Sequence, residues 1–422
     1  METPLLFSNI KHLYGITGPS IGTEGAQIGN EPISLEDAFI LVQDGEINAW
    51  GAMADCPKAY LQKGKKVDCS GKLVLPGFVD SHTHLVFPKS REGEYRLRIQ
   101  GASYEEIARQ GGGILNSARV TASTSEEELL KAAEKRAWEV LKNGTTTLEI
   151  KSGYGLDLES ELKLLRVANS LKELVPLRIK TTLLGAHALP PSYASDREKY
   201  LDIVCQEMIP QAAEAGLANF VDVFCETGFF TPEETRKVIR TGATYCLQAK
   251  IHTNQLSISG GIPVAVEEGA LSVDHLESVT DEEINLLQES EVIPVALPTV
   301  SFFLGLPYAR CREMWDAGLP LALATDYNPG SSPGGSLPFV ISLACTRQSL
   351  LPEEALKAVT LYAARALGMD KEVGSIEVGK AADLVVTKPM DNLAQIPYYF
   401  TQNPVEQVWI GGACAWGNLE NS

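Results

Sequence analysis

Basic residues are scarce in this 422-residue sequence, which has 36 Lys and Arg against 54 Asp and Glu and a formal net charge of −18. Because phosphate binding relies on clustered Lys and Arg, this deficit argues against a nucleic-acid partner. It does not exclude a small anionic substrate, since one buried Arg can dominate a small pocket.

Regularly spaced cysteine pairs are also absent. The eight cysteines include no Cys-x-x-Cys pair and lie at positions 56, 69, 205, 225, 246, 311, 345 and 414. This pattern is typical of reduced thiols in a cytosolic protein. The opening Met-Glu-Thr-Pro lacks the basic segment and apolar run of a secretory signal, so we expect a cytoplasmic location.

One uncharged stretch, residues 292–309, is long enough to be mistaken for a membrane helix. Its prolines Pro294, Pro298 and Pro307 argue against that interpretation. We expect a buried strand followed by a proline-bounded loop, and therefore no membrane partner.

Strand and helix signals divide the chain into a central part and two similar ends. Residues 1–76 and 370–422 contain short strands and turns, which we expect to form one composite β-sandwich domain. In residues 77–369, short apolar runs alternate with amphipathic stretches, as in βα repeats around a parallel sheet. The predicted fold class is α/β: a (β/α)8 TIM barrel with a small β-sandwich domain formed from both chain ends.

The predicted barrel elements can be placed along the central part. Eight candidate strands end near His82, Ser152, His187, Glu226, His252, His275, Pro298 and Asp326. Candidate helices cover residues 126–143, 158–174, 196–215, 232–241 and 281–290.

Histidines collect at the predicted carboxyl ends of the strands, the rim where barrel enzymes build their active sites. Of the six in the chain, these five lie there, and only His12 lies elsewhere: His82, His84, His187, His252 and His275. His82 and His84 share one face of a strand, so both imidazoles can hold a single cation. An isolated His-x-His pair also arises by coincidence. The histidines on strands five and six, with Asp326 on strand eight, make this pair a strong indication of a metal site.

This set of motifs resembles the amidohydrolase superfamily over nearly the whole chain, including the split β-domain. The resemblance implies a divalent metal held by His82, His84, His252 and Asp326, with His275 nearby as a catalytic residue. Imidazole nitrogens and a carboxylate suit zinc or iron, and such an ion lowers the pKa of a bound water toward about 7.

Some members of the superfamily carry two metals bridged by a carboxylated lysine on strand four. Here that strand ends Phe224-Cys225-Glu226, without a lysine. Lys151 follows strand two instead, where we expect a structural or solvated lysine. The sequence therefore favours one metal per chain.

Further segments resemble the members of the superfamily that open 4-imidazolone-5-propanoate. They are Arg91, nine residues beyond His82, and residues 111–115, 151–155, 184–188 and 326–331. The resemblance assigns substrate contacts to Arg91, Tyr154, His187 and Gln255, and product contacts to Asn328, Gly330 and Ser331. It implies hydrolysis of the ring amide C–N bond to N-formimidoyl-L-glutamate in histidine degradation, with Asp326 carrying the proton and His275 stabilising charge on the carbonyl oxygen.

The carboxylate tail of that substrate gives these residues physical roles. The Arg91 guanidinium can grip it in a bidentate manner, while Tyr154 and His187 add directional hydrogen bonds. Alternatively, Arg91 is a surface ion-pair residue and Tyr154 packs in the core. The glycines Gly111 to Gly113 are either a close approach to the ligand or a plain flexible turn, and they lack the Lys-Ser/Thr that a phosphate loop needs.

Gln255 discriminates between relatives, because ring deaminases of this superfamily generally place a glutamate there. An amide can bind a substrate but cannot act as a general base, so Gln255 weakens a deaminase interpretation and leaves the base open. The alternatives are another cyclic-amide or ring-amine hydrolase, of hydantoinase, dihydroorotase or deaminase type, and a non-catalytic relative. A homodimer is expected by analogy alone.

Overall fold

The computed structural model describes residues 4–18, 33–63, 65–102, 106 and 112–418. The chain divides into two compact units by its internal contacts. One comprises Met1–Asp80, Glu139–Thr147 and Ser336–Ser422, and the other comprises Ser81–Trp138 and Leu148–Gly335. The domain boundaries drawn from the sequence, at residues 76 and 370, stay a prediction.

The strands of the described residues are numbered in chain order. They are β1 (Leu5–Ile16), β2 (Ile33–Gln43), β3 (Glu46–Ala52), β4 (Lys65–Asp68), β5 (Leu73–Pro76), β6 (Phe78–Asp80), β7 (Thr145–Lys151), β8 (Arg178–Ala186), β9 (Phe220–Cys225), β10 (Gln248–Thr253), β11 (Ser272–His275), β12 (Ile293–Ala296), β13 (Ala322–Leu323), β14 (Leu384–Thr387), β15 (Val405–Ile410) and β16 (Ala413–Trp416).

The α-helices are numbered in the same way. They are α1 (Lys58–Lys63), α2 (Glu92–Ile99), α3 (Ile114–Ser123), α4 (Glu126–Lys142), α5 (Leu158–Leu174), α6 (Arg197–Ile203), α7 (Ile209–Glu214), α8 (Pro232–Thr244), α9 (Gly261–Glu268), α10 (Asp281–Gln288), α11 (Pro298–Leu304), α12 (Cys311–Asp316), α13 (Leu337–Gln348), α14 (Pro352–Ala358), α15 (Leu361–Arg365) and α16 (Gln395–Tyr398).

Strands from both chain ends form one mixed sheet in the first unit. Its order is β16-β15-β14-β5-β1-β2-β3, with β4 pairing beside β1. The antiparallel pair β5 and β14 joins the two ends. Phe7 on β1 and Trp409 on β15 belong to one buried apolar cluster, and their rings lie 5.0 Å apart. The predicted composite β-domain is confirmed.

The second sheet is the barrel, with strand order β13-β12-β11-β10-β9-β8-β7-β6. Two backbone hydrogen bonds close its seam: the His84 amide donates to the Tyr327 carbonyl over 2.9 Å, and the Asp326 amide donates to the His82 carbonyl over 2.9 Å. The first and last barrel strands therefore meet at the rim where the histidines lie, and the predicted TIM barrel is confirmed.

Local sequence signals explain several helix boundaries. The helices α8 and α10 each begin with a capping box, Thr231 with Glu234 and Thr280 with Glu283, which satisfies otherwise unpaired amides of the first turn. A π-helical turn, Val204–Met208, joins α6 and α7 within the predicted helix 196–215.

The prediction of a loop after the seventh barrel strand is wrong. The helix α11 occupies most of it, with Pro298 in its first turn and Gly305 at its end in the left-handed conformation, φ 71°. Proline suits that first turn because its missing N–H would have no intrahelical partner there. Within the described residues, none of the helices combines the length and apolar character needed to span a bilayer.

Candidate active site

Three histidines and one aspartate converge at the barrel rim. The Nε2 atoms of His84 and His252 lie 3.4 Å apart. The Oδ1 atom of Asp326 lies 3.4 Å from His82 Nε2 and 3.6 Å from His84 Nε2. The side chains are buried, and possible ligand atoms of His82, His84 and His252 all lie within 4.8 Å of one another. The structure thus brings together the four residues that the sequence proposes as metal ligands.

The chemistry of this cluster fits a divalent cation. The buried His82 Nε2 has no hydrogen-bond partner within the described part of the chain, which is costly unless something binds it. Burial lowers the pKa of His82, His84 and His252, so the imidazoles are neutral and offer lone pairs. Three imidazole nitrogens and a carboxylate oxygen suit zinc or iron.

The opposite ring nitrogens of these histidines face protein oxygen atoms. His82 Nδ1 lies 2.6 Å from Asp274 Oδ2, and His252 Nδ1 lies 2.9 Å from Asp222 Oδ2. His84 Nδ1 lies 3.1 Å from the Ser152 carbonyl oxygen. Hydrogen bonds at Nδ1 of His82 and His84 hold the proton there, so their Nε2 atoms are left free toward the shared centre. The Asp222 carboxylate lies within ion-pair distance of His252 Nδ1, although these two atoms do not meet the geometry of a hydrogen bond.

Lys151 is fully buried, so the solvated alternative for this residue is wrong. Its Nζ lies 2.7 Å from Asp222 Oδ2 and 3.0 Å from Glu149 Oε1. Burial alone would lower the pKa of Lys151, but Asp222, Glu149 and Asp274 outweigh burial and raise it. The residue is therefore an ammonium within an ion-pair network.

His275 and Asp326 share an unusual backbone conformation. Their φ angles are 96° and 48°, in the left-handed region that non-glycine residues rarely adopt. Burial would lower the pKa of His275, but the Glu277 carboxylate, 3.5 Å from its Nδ1, and Asp326 raise it. Burial raises the pKa of Asp326 to about 7. Ligand atoms of His275, Asp326 and His82 all lie within 4.8 Å of one another, so His275 and Asp326 face the same centre.

A cavity of about 250 Å³ opens beside this cluster. All the predicted substrate and product contacts line it, together with three of the proposed ligands and His275. The lining residues are His84, Arg91, Glu94, Tyr95, Arg98, Ile114, Tyr154, His187, Phe224, Phe229, His252, Gln255, Leu256, His275, Leu304, Leu306, Asp326, Asn328, Gly330 and Ser331.

Arg91 lies at the cavity wall and is nearly buried, with a side chain 10% exposed. Its Nε and Nη1 atoms have no hydrogen-bond partner among the described residues, although Nε lies 3.6 Å from a Glu94 oxygen. A buried guanidinium with unused donors is suited to a carboxylate ligand. This geometry argues against the surface ion-pair alternative.

Tyr154 and His187 form an aromatic wall with His84. The Tyr154 ring lies 5.4 Å from that of His84 and 5.3 Å from that of His187. His187 Nδ1 lies 2.8 Å from the Gly153 carbonyl oxygen, and burial lowers the pKa of His187 to about 3. A neutral His187 with its Nδ1 held in this way presents Nε2 as an acceptor.

Glu161 fixes the loop that carries Tyr154, a role that sequence reasoning does not reveal. Its two carboxylate oxygens accept hydrogen bonds from the amides of Gly153, Gly155 and Leu156 over 2.7–2.8 Å. In sequence, Glu161 is one acidic residue of an amphipathic helix, with no signal that its side chain turns inward.

Both ends of the Asn328 side-chain amide bind within or beside the loop 328–331. Asn328 Oδ1 accepts hydrogen bonds from the amides of Gly330 and Ser331, each over 2.8 Å. Its Nδ2 donates to the Asp326 carbonyl over 2.6 Å. Asn328 thus orders the loop next to Asp326 in addition to lining the cavity.

Gly113 ends the triple-glycine stretch and precedes α3, while Gly111 lies outside the described residues. The Gly113 amide donates to both Glu94 carboxylate oxygens at 3.1 Å. A carboxylate therefore lies where a phosphate loop would bind its anion, which argues against that interpretation.

Residues 73–414 match the amidohydrolase family. The match covers most of the chain, and both the barrel and the rim of histidines agree with it. The chain belongs to the amidohydrolase family.

Similar proteins narrow this assignment. The imidazolonepropionase of Flavobacterium johnsoniae is 46% identical over 408 residues, which are 96% of this chain and 98% of that protein. The imidazolonepropionase of Geobacillus kaustophilus is 42% identical over 416 residues, 97% of each chain. Within the amidohydrolases, the chain belongs with the imidazolonepropionases, and the predicted family and enzyme class are confirmed.

Solved structures agree with the fold. The guanine deaminase of E. coli has a TM-score of 0.73 and 17% sequence identity, covering 99% of this chain and 100% of that one. At this identity the likeness concerns the fold alone.

Proposed function

We propose that this site hydrolyses the ring amide C–N bond of 4-imidazolone-5-propanoate and yields N-formimidoyl-L-glutamate, a step of histidine degradation. One observation carries the proposal beyond the family. The nearly buried Arg91, whose Nε and Nη1 have no hydrogen-bond partner among the residues that the structure describes, lines the same cavity as His84, His252 and Asp326. A substrate with a carboxylate tail and a reactive ring would satisfy both parts of the cavity.

One divalent cation per chain, zinc or iron, would be held by His82, His84, His252 and Asp326. When bound, such an ion polarises a carbonyl oxygen and lowers the pKa of water toward about 7, which supplies a nucleophile at neutral pH. The neutral imidazoles support this ligand set, as does His82 Nε2, which has no hydrogen-bond partner in the described part of the chain.

The residues of the chain would bind and orient the substrate. Arg91 would grip the propanoate carboxylate, while Tyr154 and His187 hold the molecule by directional hydrogen bonds. Gln255 would contact the ring through its amide. Asn328, Gly330 and Ser331 would contact the opened product.

Two residues would handle the proton and the charge. Asp326 would accept a proton from the attacking water and deliver it to the departing ring nitrogen, as the C–N bond breaks and the water oxygen bonds to the carbonyl carbon. His275 would donate a hydrogen bond to the carbonyl oxygen as negative charge develops there. Gln255 cannot share the proton transfer, because an amide has no useful basicity.

The test is an assay of metal-analysed protein with freshly generated 4-imidazolone-5-propanoate, before and after chelation. We expect ring opening that is lost with the metal and restored by its return. Hydantoins, dihydroorotate and amino-heterocycles are tested in parallel. Preferential turnover of one of these would replace the proposed substrate by that class.

A cytoplasmic location and a homodimer are further proposals. All eight cysteines are free thiols, which supports a reducing compartment. The homodimer rests on analogy with related barrels and is tested by light scattering of the purified protein.

A further inference from the structure

Five charged side chains lie together inside the barrel beside the proposed metal ligands. They come from β7, β9, β10 and β11, and each has no more than 1% of its surface exposed: Glu149, Lys151, Asp222, Lys250 and Asp274. The cluster contains three acidic and two basic side chains.

Lys151 connects two of these carboxylates. Its Nζ lies 2.7 Å from Asp222 Oδ2 and 3.4 Å from Asp274 Oδ2. Those same oxygens face the histidines: Asp222 Oδ2 lies 2.9 Å from His252 Nδ1, and Asp274 Oδ2 lies 2.6 Å from His82 Nδ1. One ammonium therefore links the orientations of two histidines that are 170 residues apart in the chain.

Stability alone does not account for such a cluster. Buried ions lose several kcal/mol of hydration each, and apolar residues of similar volume often stabilise a protein as well or better. The buried ions instead fix the orientation of the side chains that they contact. Carboxylates that hold the Nδ1 protons of metal-binding histidines fix both the tautomer and the ring orientation, and their loss typically weakens metal binding about 10- to 100-fold.

We propose that Lys151 is a positioning residue for the metal site: it fixes Asp222 and Asp274 so that His252 and His82 present their Nε2 atoms to the same cation. This inference rests on the proposed metal ligation. Lys151 is not among the described residues that line the cavity, so it would act through the two carboxylates.

The experiment titrates metal-free protein with Co²⁺ and measures both the dissociation constant and the visible absorption spectrum. Lys151→Met should bind Co²⁺ about 10- to 100-fold more weakly than the wild type, with a changed spectrum. The matched control is Lys380→Met. Lys380 is also a buried lysine, with Nζ 2.7 Å from Ser375 Oγ and 3.0 Å from Glu377 Oε2, and its loss should leave Co²⁺ affinity unchanged.

A folded Lys151→Met protein with wild-type affinity and spectrum would overturn the inference, as would an equal loss of affinity in the control. If Lys151→Met does not fold, Lys151→Arg keeps the buried charge with a different shape. Weaker Co²⁺ binding and a changed spectrum in that variant would support the inference, and wild-type values of both would overturn it. His82→Ala tests the ligand set separately. Retention of Co²⁺ by that variant would refute the proposed ligation itself rather than the part played by Lys151.

Discussion

A Cβ atom on Gly330 would overlap the guanidinium group of Arg91. Only glycine at this position leaves room for the arginine to lie across the loop and face the cavity. We expect Gly330→Ala to displace the guanidinium and raise KM about tenfold or more, with a smaller change in kcat. Steady-state kinetics with 4-imidazolone-5-propanoate measures both. Gly334→Ala is the control, because no heavy atom lies within 4 Å of its added Cβ.

Removal of the guanidinium itself should have a larger effect. Arg91→Ala deletes two charge-assisted hydrogen bonds to the substrate carboxylate, each worth about 1.5–3 kcal/mol. We therefore expect KM to rise by at least about 100-fold, and Arg91→Lys to recover part of the loss. Unchanged kinetics in Arg91→Ala would refute the carboxylate role.

Glu161→Gln should loosen the loop that carries Tyr154. The variant keeps one acceptor oxygen where the wild type uses two for three amides. We expect a loss of about 1–3 kcal/mol in the free energy of unfolding, together with a higher KM. Glu159→Gln, on the same helix but exposed, should change neither quantity appreciably. If Glu161→Gln keeps the wild-type KM, the order of this loop does not contribute to substrate binding.

The Glu234 carboxylate should make the free energy of unfolding depend on pH. Burial would raise its pKa, but hydrogen bonds from Arg197 and Thr231 lower it below the ordinary value of 4.5. The stabilisation is thus present above about pH 4.5 and is lost as the pH falls through the lower folded-state pKa.

We expect Glu234→Gln to lower the free energy of unfolding by about 1–2 kcal/mol at pH 7 and by less at pH 3. Denaturant unfolding at both pH values gives the measurement. Its exposed neighbour provides the control, since Glu233→Gln should keep the wild-type pH dependence. Equal losses at the two pH values would contradict the assignment.

Metal removal should affect stability as well as activity. A ligand that binds only the folded state at about 100 times its Kd adds about 2.7 kcal/mol. Chelated protein should therefore unfold at a lower temperature, and the midpoint should rise with added Zn²⁺. His82→Ala should show neither the activity nor the Zn²⁺-dependent midpoint. A thermal unfolding midpoint that does not change on chelation would argue against a tightly bound ion.

Periodicity and histidine placement were sufficient to predict the barrel and its rim. The strand ends at Ala186, Cys225 and Thr253 lie within two residues of those expected from the sequence. Such positions depend on local apolar patterns and on a topology that places all carboxyl ends at one rim.

The inward orientation of charged side chains was not predictable. In the sequence, Lys151 looks like an ordinary strand residue and Glu161 like an ordinary helix residue. Only the tertiary structure places their partners nearby. The sequence does not indicate the helix α11, because proline usually breaks a helix; Pro298 lies in the first turn, which tolerates it.

The backbone seam between His84 and Tyr327 has a consequence for biosynthesis. The histidine pair is made within the first fifth of the chain, while Asp326 is added after three quarters of it. A nascent chain therefore carries an unfinished ligand set for most of its translation. Metal capture by the full set and closure of the barrel must wait for the same late segment to leave the ribosome.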